Sequence, residues 1–255
     1  MGMVNEDYGT RVDEIADGIY RISTPVPPEV VTDGFTYNQF LIADDEPLLY
    51  HTGMRRMFPV VKAAVETVLP FDSLRWVSFS HWEGDESGAL NEVLAAAPRA
   101  EAACGVLACN LSVDDVADRP ARSLLDGEEL SLGKHTVRWL ATPHLPHGWE
   151  CGHLFETTTR TLLCGDLFTQ SGAEHPATTE EDVVGPSEVM RRQFDYYAHH
   201  PDTADLLEKL ARTEPTTLAC MHGPSYRGDG AAMLRRLAAF LEAERLGNEQ
   251  GAAGG

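Results

Sequence analysis

The hydrophobic positions of this chain change period repeatedly along its length. Short apolar or alternating runs at Gly18 to Ser23, Phe35 to Ala43, Pro47 to Tyr50 and Trp76 to Ser80 predict strands, whereas helical spacing over Met57 to Leu69 and Ser87 to Ala96 predicts helices. A strand is expected near Ala102, followed by an acidic, polar stretch around Asp114 to Asp126. The strand pattern restarts at Thr136 to Leu140, Gly152 to Glu156 and Thr161 to Cys164. It gives way to helices over Ser187 to Ala198 and Thr203 to Thr213, and returns at Thr216 to Cys220. From Asp229 to Arg245, Met233, Leu237, Phe240 and Leu241 recur at helical spacing and predict a helix that caps the core. Two β/α halves without a Pro- or Ser-rich linker or a repeat of roughly 20–50 residues predict one layered domain over residues 1–247. The segment 248–255, NEQGAAGG, is expected to be a disordered tail.

Composition narrows the function. A chain that is 43% hydrophobic and 24% charged carries enough apolar material for a core, which excludes general disorder. Forty acidic residues against twenty basic ones give a formal charge of −20, a field that repels phosphate backbones and anionic lipid, so nucleic acid is not expected as a partner. No run approaches the ~20 apolar residues that cross a bilayer. The N-terminal MGMVNEDYGTRVDE has neither a basic nor an apolar signal region, so a cytoplasmic protein without a membrane partner is expected. The five cysteines at 104, 109, 151, 164 and 220 form no CxxC pair and read as buried, reduced thiols, with Cys104 and Cys109 in the core.

Candidate chemistry concentrates just beyond the predicted strands. In SFSHWEGDESGAL, His81, Glu83 and Asp85 alternate directly after an apolar run; in extended backbone they share a face and converge on adjacent metals. A polar turn of an acidic protein would carry the same residues, so this stretch alone does not decide. TPHLPHGWE adds His144 and His147, LLCGDLF adds Asp166, and ACMHGPSYRG adds His222. Asp166 ends the run Leu162 to Cys164, and a buried carboxylate needs a partner: a bridging metal is the least costly, a turn cap the alternative. His222 precedes Gly223 and Pro224 and reads either as a ligand or as a satisfied core histidine. Six donors suffice for two metals if Asp166 is shared or solvent completes the set.

Taken together, HxExD after a strand, Gly-Ala-Leu, a later TP...H, a GD and a terminal HGP resemble the metallo-β-lactamase superfamily. Within it they resemble the di-iron domain of flavodiiron proteins and their single-domain oxygen-binding relatives. GFTYNQFLI at Gly34 to Ile42, the pair Tyr196–Tyr197 and HGPSYR at His222 to Arg227 support the likeness, which runs over roughly residues 15 to 228. The resemblance implies a four-layer αββα sandwich of α/β class with two irons. His81, Glu83 and His147 would hold one, Asp85 and His222 the other, with Asp166 bridging. O2 or NO would be bound or reduced there, with Tyr196 or Tyr197 donating a hydrogen bond, and the chain would pair as a homodimer. His147 lies 19 residues before Asp166, an interval that resembles the di-iron family (166 − 147), whereas His144 stands where zinc hydrolases of the superfamily place a ligand.

Glu83 supplies a hard oxygen where the zinc enzymes carry a third imidazole. Three carboxylates and three imidazoles suit iron or manganese better than zinc. Two residues depart from the pattern: Glu86 replaces a histidine and His51 an aspartate, so Glu86 is either a further ligand and catalytic group or a partner of His51. Without a phosphate-cradling glycine loop or a second α/β unit, the chain alone is expected to bind no FMN and to draw electrons from a separate flavoprotein. The alternatives are a di-zinc hydrolase of an ester, thioester, lactone or phosphodiester, and a sensor that only signals ligand binding. Trp82, Trp149, His144, His153 and His175 are further candidates to line the pocket, while His199 and His200 are expected to be solvated.

Overall fold

The computed structural model describes residues 2–253, with side chains through Arg245. Eight strands form one sheet in chain order: β1 Gly2–Asn5, β2 Thr10–Ala16, β3 Ile19–Val26, β4 Phe35–Ile42, β5 Leu48–Tyr50, β6 Trp76–Ser78, β7 Glu101–Gly105 and β8 Arg122–Leu124. The second sheet contains β9 Glu129–Ser131, β10 Thr136–Ala141, β11 Gly152–Glu156, β12 Thr161–Leu163, β13 Thr178–Thr179, β14 Thr217–Ala219 and β15 Ser225–Arg227. Its spatial order is β13-β15-β14-β12-β11-β10-β9.

Three apolar layers hold the sheets and helices together. Between the sheets lie Ile15, Ile19, Phe40, Ile42, Leu48 and Tyr50 from one side and Val137, Trp139, Leu154, Leu163 and Ala219 from the other. On the outer face of the first sheet, Val12, Ile22, Leu41, Leu49 and Val77 pack against Val61, Ala64 and Val65 of the helix Phe58–Val65 and Leu90, Val93 and Leu94 of the helix Leu90–Ala96. On the outer face of the second sheet, Phe155, Leu162 and Leu218 meet Val184 of the helix Val184–Phe194, Leu207 and Leu210 of the helix Thr203–Ala211, and Leu234 and Leu237 of the helix Gly230–Ala253. Helix, sheet, sheet, helix is the αββα sandwich expected from the sequence. No helix of the described residues is long and apolar enough to cross a membrane.

Several boundaries differ from the sequence expectation. Strands β1 and β2 precede Gly18, the first position at which the hydrophobic pattern predicts a strand; the register of β2 shifts between Glu14 and Ala16, which breaks the alternation that would have revealed it. The helix expected over Ser87 to Ala96 is split into Gly84–Ser87 and Leu90–Ala96. The helix expected to reach Ala198 ends at Phe194, because Asp195 turns left-handed (φ 48°) and its N–H closes on the Arg191 carbonyl. The last helix continues past Gly247 to Ala253, with Asp229 Oδ1 accepting the Ala232 N–H at its start (2.9 Å); side chains after Arg245 lie outside the described residues, as do residues 254 and 255.

One close approach sets a measurable limit on the core between the sheets. Gly152 on β11 faces the buried Trp139 of β10 so closely that a Cβ there would lie 2.2 Å from the indole Cζ2. Gly152→Ala is therefore expected to lower stability by about 1–3 kcal/mol, the usual cost of overpacking. Urea unfolding should show a lower midpoint at unchanged slope.

Candidate metal centre

Strand direction decides which chain segments can meet. β10 and β12 both run antiparallel to β11 and so run alike, β14 is parallel to β12, and β5 is parallel to β6. Residues just beyond the carboxyl ends of β6, β10, β12 and β14 therefore emerge at common edges. These are His81, His147, Asp166 and His222. Two backbone hydrogen bonds bring the edges together: Gly152 N–H donates to the Ser80 carbonyl and Asn38 N–H to the Met221 carbonyl, both at 2.9 Å.

At that junction His81, Glu83, His147 and Asp166 each present one donor atom, and these atoms all lie within 4.8 Å of one another. His81 Nε2 is 3.3 Å from Glu83 Oε2 and 3.7 Å from Asp166 Oδ2; His147 Nε2 is 3.3 Å from Glu83 Oε1 and 3.6 Å from the same Asp166 Oδ2. The other oxygen of Asp166 faces a second set: Oδ1 is 3.2 Å from His222 Nε2, which is 3.5 Å from Asp85 Oδ2. One buried carboxylate thus addresses two groups of donors at once.

The far side of two imidazoles is fixed. His222 Nδ1 donates to the Thr36 carbonyl (2.7 Å), which turns Nε2 toward the site, and Phe35 stacks on the ring at 4.2 Å between centroids. His81 Nδ1 lies 2.9 Å from Ser80 Oγ and 3.2 Å from Glu86 Oε1. Glu86 is fully buried and accepts the Ser80 N–H (2.7 Å), the His81 N–H (2.9 Å) and the Ser80 hydroxyl (2.6 Å), while His51 Nε2 stands 3.4 Å away. Burial opposes its charge, but the facing His51 and His81 and the hydrogen bonds from His81 and Ser80 hold its carboxyl well below the usual range.

Without cations the donor cluster is left short of partners. Nε2 of His81, both ring nitrogens of His147 and Oδ1 of Asp166 are buried with no hydrogen-bond partner. Burial opposes protonation of His222, yet Asp166 and Asp85 push it up to about 10. The His147 and His81 rings, each 3.3 Å from a Glu83 oxygen, hold the Glu83 carboxyl far below its ordinary range. Positive charge is what these atoms lack, and a mixed set of imidazole nitrogens and carboxylate oxygens is the donor chemistry of iron, manganese or zinc. The residues present therefore fit a pair of metal ions.

The other sequence candidates fall into place around this cluster. Glu86 lies across the His81 ring from Asp166 and outside the four-residue donor group, with His51 Nε2 3.4 Å from its carboxylate. Asp85 does not arrive on extended backbone: from Gly84 the chain is helical, and Asp85 approaches His222 from a first helical turn. His144 stacks flat on His200 at 4.6 Å rather than joining the donors. Tyr196 lines the cavity beside the donors, and its hydroxyl donates to the Asp166 carbonyl (3.2 Å). Of the two tyrosines offered as alternative hydrogen-bond donors, Tyr197 is buried in the apolar layer and borders a separate cavity with His199, His200 and Ala204. His153 is fully buried between Thr142 Oγ1 (2.8 Å) and the Cys164 carbonyl (3.1 Å), and His175 bonds the Ser171 carbonyl (3.1 Å). Trp82 packs edge-on against Phe79, and Trp149 is exposed.

The cavity over the donors holds about 250 Å³, opens to the surface and is lined beside them by Phe35, Thr169, Met190, Phe194 and Tyr196. Phe35, Met190 and Phe194 carry no sequence signal of this role, because each looks like ordinary strand or helix packing. Non-glycine residues with positive φ crowd this region, His51 at 64°, His144 at 67° and Phe168 at 64°, the kind of backbone strain that persists where surroundings over-determine it.

Fold and site together define a β-lactamase-type αββα protein with a candidate two-metal cluster at its strand ends. Residues 35–223 match the family model described as ODP family beta lactamase, and the chain belongs to that family. It is 26% identical over 204 residues to rubredoxin-oxygen oxidoreductase of Megalodesulfovibrio gigas, a match covering 76% of this chain and 50% of that protein. It is 25% identical over 222 residues to a nitric oxide reductase of Moorella thermoacetica, covering 83% and 54%. The solved 1–254 fragment of diflavin flavoprotein A 5 from Nostoc sp. PCC 7120 superposes with a TM-score of 0.81 at 17% identity, covering 94% of this chain and 98% of the fragment. The chain spans about a third to about a half of the length of the curated relatives it matches, 34% in a Nostoc diflavin flavoprotein and 50% in the Megalodesulfovibrio enzyme.

Proposed function

We propose that the chain holds two iron ions at this cluster and binds or reduces O2 or NO there, with electrons supplied by a flavin- or rubredoxin-type donor. The observation that carries this reading is Asp166, whose Oδ2 faces His81 and His147 and whose Oδ1 faces His222. On it, His81, Glu83 and His147 hold one ion, Asp85 and His222 the other, and Asp166 bridges. The preference for iron over zinc rests on Glu83, which makes the donors three carboxylates and three imidazoles. The names of the relatives, an oxygen oxidoreductase and a nitric oxide reductase, support the choice of ligand.

Bound iron would supply one-electron chemistry and Lewis acidity toward a small ligand. The chain's own residues do the rest. Glu86 keeps the His81 ring turned so that Nε2 faces inward, and the Thr36 carbonyl does the same for His222. Phe35, Met190 and Phe194 supply the apolar part of the cavity lining beside the donors. Burial pushes the Tyr196 phenol well above its ordinary range, so it stays protonated and keeps its hydrogen bond to the Asp166 carbonyl. Tyr196→Phe is therefore expected to leave the metal content unchanged and to cost about 1 kcal/mol of stability, the net worth of one such bond. Metal analysis and thermal unfolding check both halves.

The functional test is anaerobic. Iron-loaded, reduced protein should consume O2 or NO, or bind them in proportion to its iron, with a change in the near-ultraviolet spectrum. Hydrolysis of an ester, thioester, lactone or phosphodiester by zinc-loaded protein, with no response of the iron form to either gas, would replace this reading by a hydrolase.

A further inference from the structure

Away from the candidate metal centre, two thiols face each other. Cys104 lies on β7 and Cys109 opens the π-helical turn Cys109–Val113, and their sulfurs stand 3.0 Å apart inside the outer core layer. Cys109 Sγ also lies 3.5 Å from the Cys104 carbonyl. Of the other three, Cys151 Sγ donates to the Leu145 carbonyl (2.9 Å), while Cys164 and Cys220, which also face each other, donate to the carbonyls of Leu162 (3.4 Å) and Leu218 (3.7 Å). A disulfide needs its sulfurs about 2.05 Å apart, so closing the 104–109 pair asks for roughly 1 Å of sulfur movement. We propose that Cys104 and Cys109 are a reversible dithiol–disulfide pair oxidised by peroxides.

The two sulfurs are not equivalent. Cys109 is held down at about 7, first by the hydrogen bond from Cys104 and against its own burial, whereas that bond and then burial push Cys104 up. Cys109 is therefore the nucleophile and Cys104 the resolving thiol. The Cys109 thiolate attacks one peroxide oxygen, the O–O bond breaks, and the departing oxygen leaves as water after protonation, giving a sulfenic acid. Cys104 sulfur then attacks the Cys109 sulfur, the S–O bond breaks, and the second water leaves with the Cys104 proton. Two electrons pass from the sulfurs to the peroxide: two thiols and H2O2 give one disulfide and two waters. Both thiols are buried, but the turn bearing Cys109 lies at the surface, with Leu107, Asn110 and Leu111 exposed around it, so a local opening of that turn admits a water-sized oxidant.

The segment has a route to its surroundings. Asn91 Nδ2 donates to the Val116 carbonyl and Asn91 Oδ1 accepts the Asp118 N–H, both at 2.9 Å, and Val116 borders a cavity of about 310 Å³ together with Trp82 and Glu83. Pinning the turn to β7 restrains the wall of that cavity.

The test is peptide mapping of the full chain. Both cysteines fall on the tryptic peptide from Ala100 to Arg122. After treatment with hydrogen peroxide, denaturation and alkylation, this peptide should be two hydrogens lighter and unalkylated, and phosphine reduction should restore two alkylations. Diamide, which needs no metal, should give the same peptide. Cys104→Ser should stop at a Cys109 sulfenic acid that dimedone traps. Full alkylation of both cysteines in the oxidised wild-type chain, or loss of hydrogens from Cys164 and Cys220 instead, would overturn the proposal without any variant having to fold.

Discussion

Asp166→Ala should empty both metal positions at once. Because its two oxygens face different donor sets, removing the carboxylate is expected to reduce bound iron from about two ions per chain to near zero. Replacing Asp85 should empty mainly the His222 side. Loss of a residue that merely orients a ligand already costs roughly 10–100-fold in affinity, so a shared ligand should cost more. Circular dichroism separates this from unfolding, since Asp166 sits beyond a strand end and carries no part of the three apolar layers. Iron counted per folded chain is the measurement.

Glu86→Ala should produce the largest loss of stability among the polar substitutions. It leaves the Ser80 and His81 N–H groups and the Ser80 hydroxyl without an acceptor in a fully buried setting, and it leaves His51 facing nothing. Breaking a buried charged network by removing one partner costs roughly 3–5 kcal/mol. Glu86→Gln keeps the shape and one acceptor oxygen, so it should unfold nearer the parent while still weakening metal binding by roughly 10–100-fold through the loosened His81 ring. If Glu86 were a ligand rather than an orienting group, the glutamine variant would instead lose one ion outright while His81 held its place.

These two residues also mark how far the sequence could be read. His81, Glu83, Asp85, His147, Asp166 and His222 were legible because each comes soon after an apolar run, and parallel strands deliver their trailing loops to one edge. An interval favours His147 over His144; in the fold His147 Nε2 lies 3.3 Å from Glu83 Oε1, whereas His144 stacks on His200. Asp85 is not on extended backbone because Gly84–Ser87 is helical, a change of period too short to register between two polar residues.

Orientation was not legible. Glu86 as partner of His81 and His51 depends on that same helical turn, and Tyr196 differs from Tyr197 only because the preceding helix stops at a left-handed Asp195. Strand β2 was hidden by its bulge, and β8, β9, β13 and β15 are short and largely polar, unlike the equally short but fully buried β5, β6, β12 and β14. In the sequence Phe35 reads as part of a strand; that it stacks on His222 emerges only from pairing the two sheets.

Anomalous scattering from crystals of the purified protein, recorded on both sides of the iron and zinc edges, tests the two-iron site most directly. Two iron peaks about 3.5–4 Å apart are expected, one on each side of the Asp166 carboxylate, one against His81, Glu83 and His147 and the other against Asp85 and His222. A single peak, peaks at the zinc edge only, or a metal held elsewhere with these six side chains bound to nothing would contradict it.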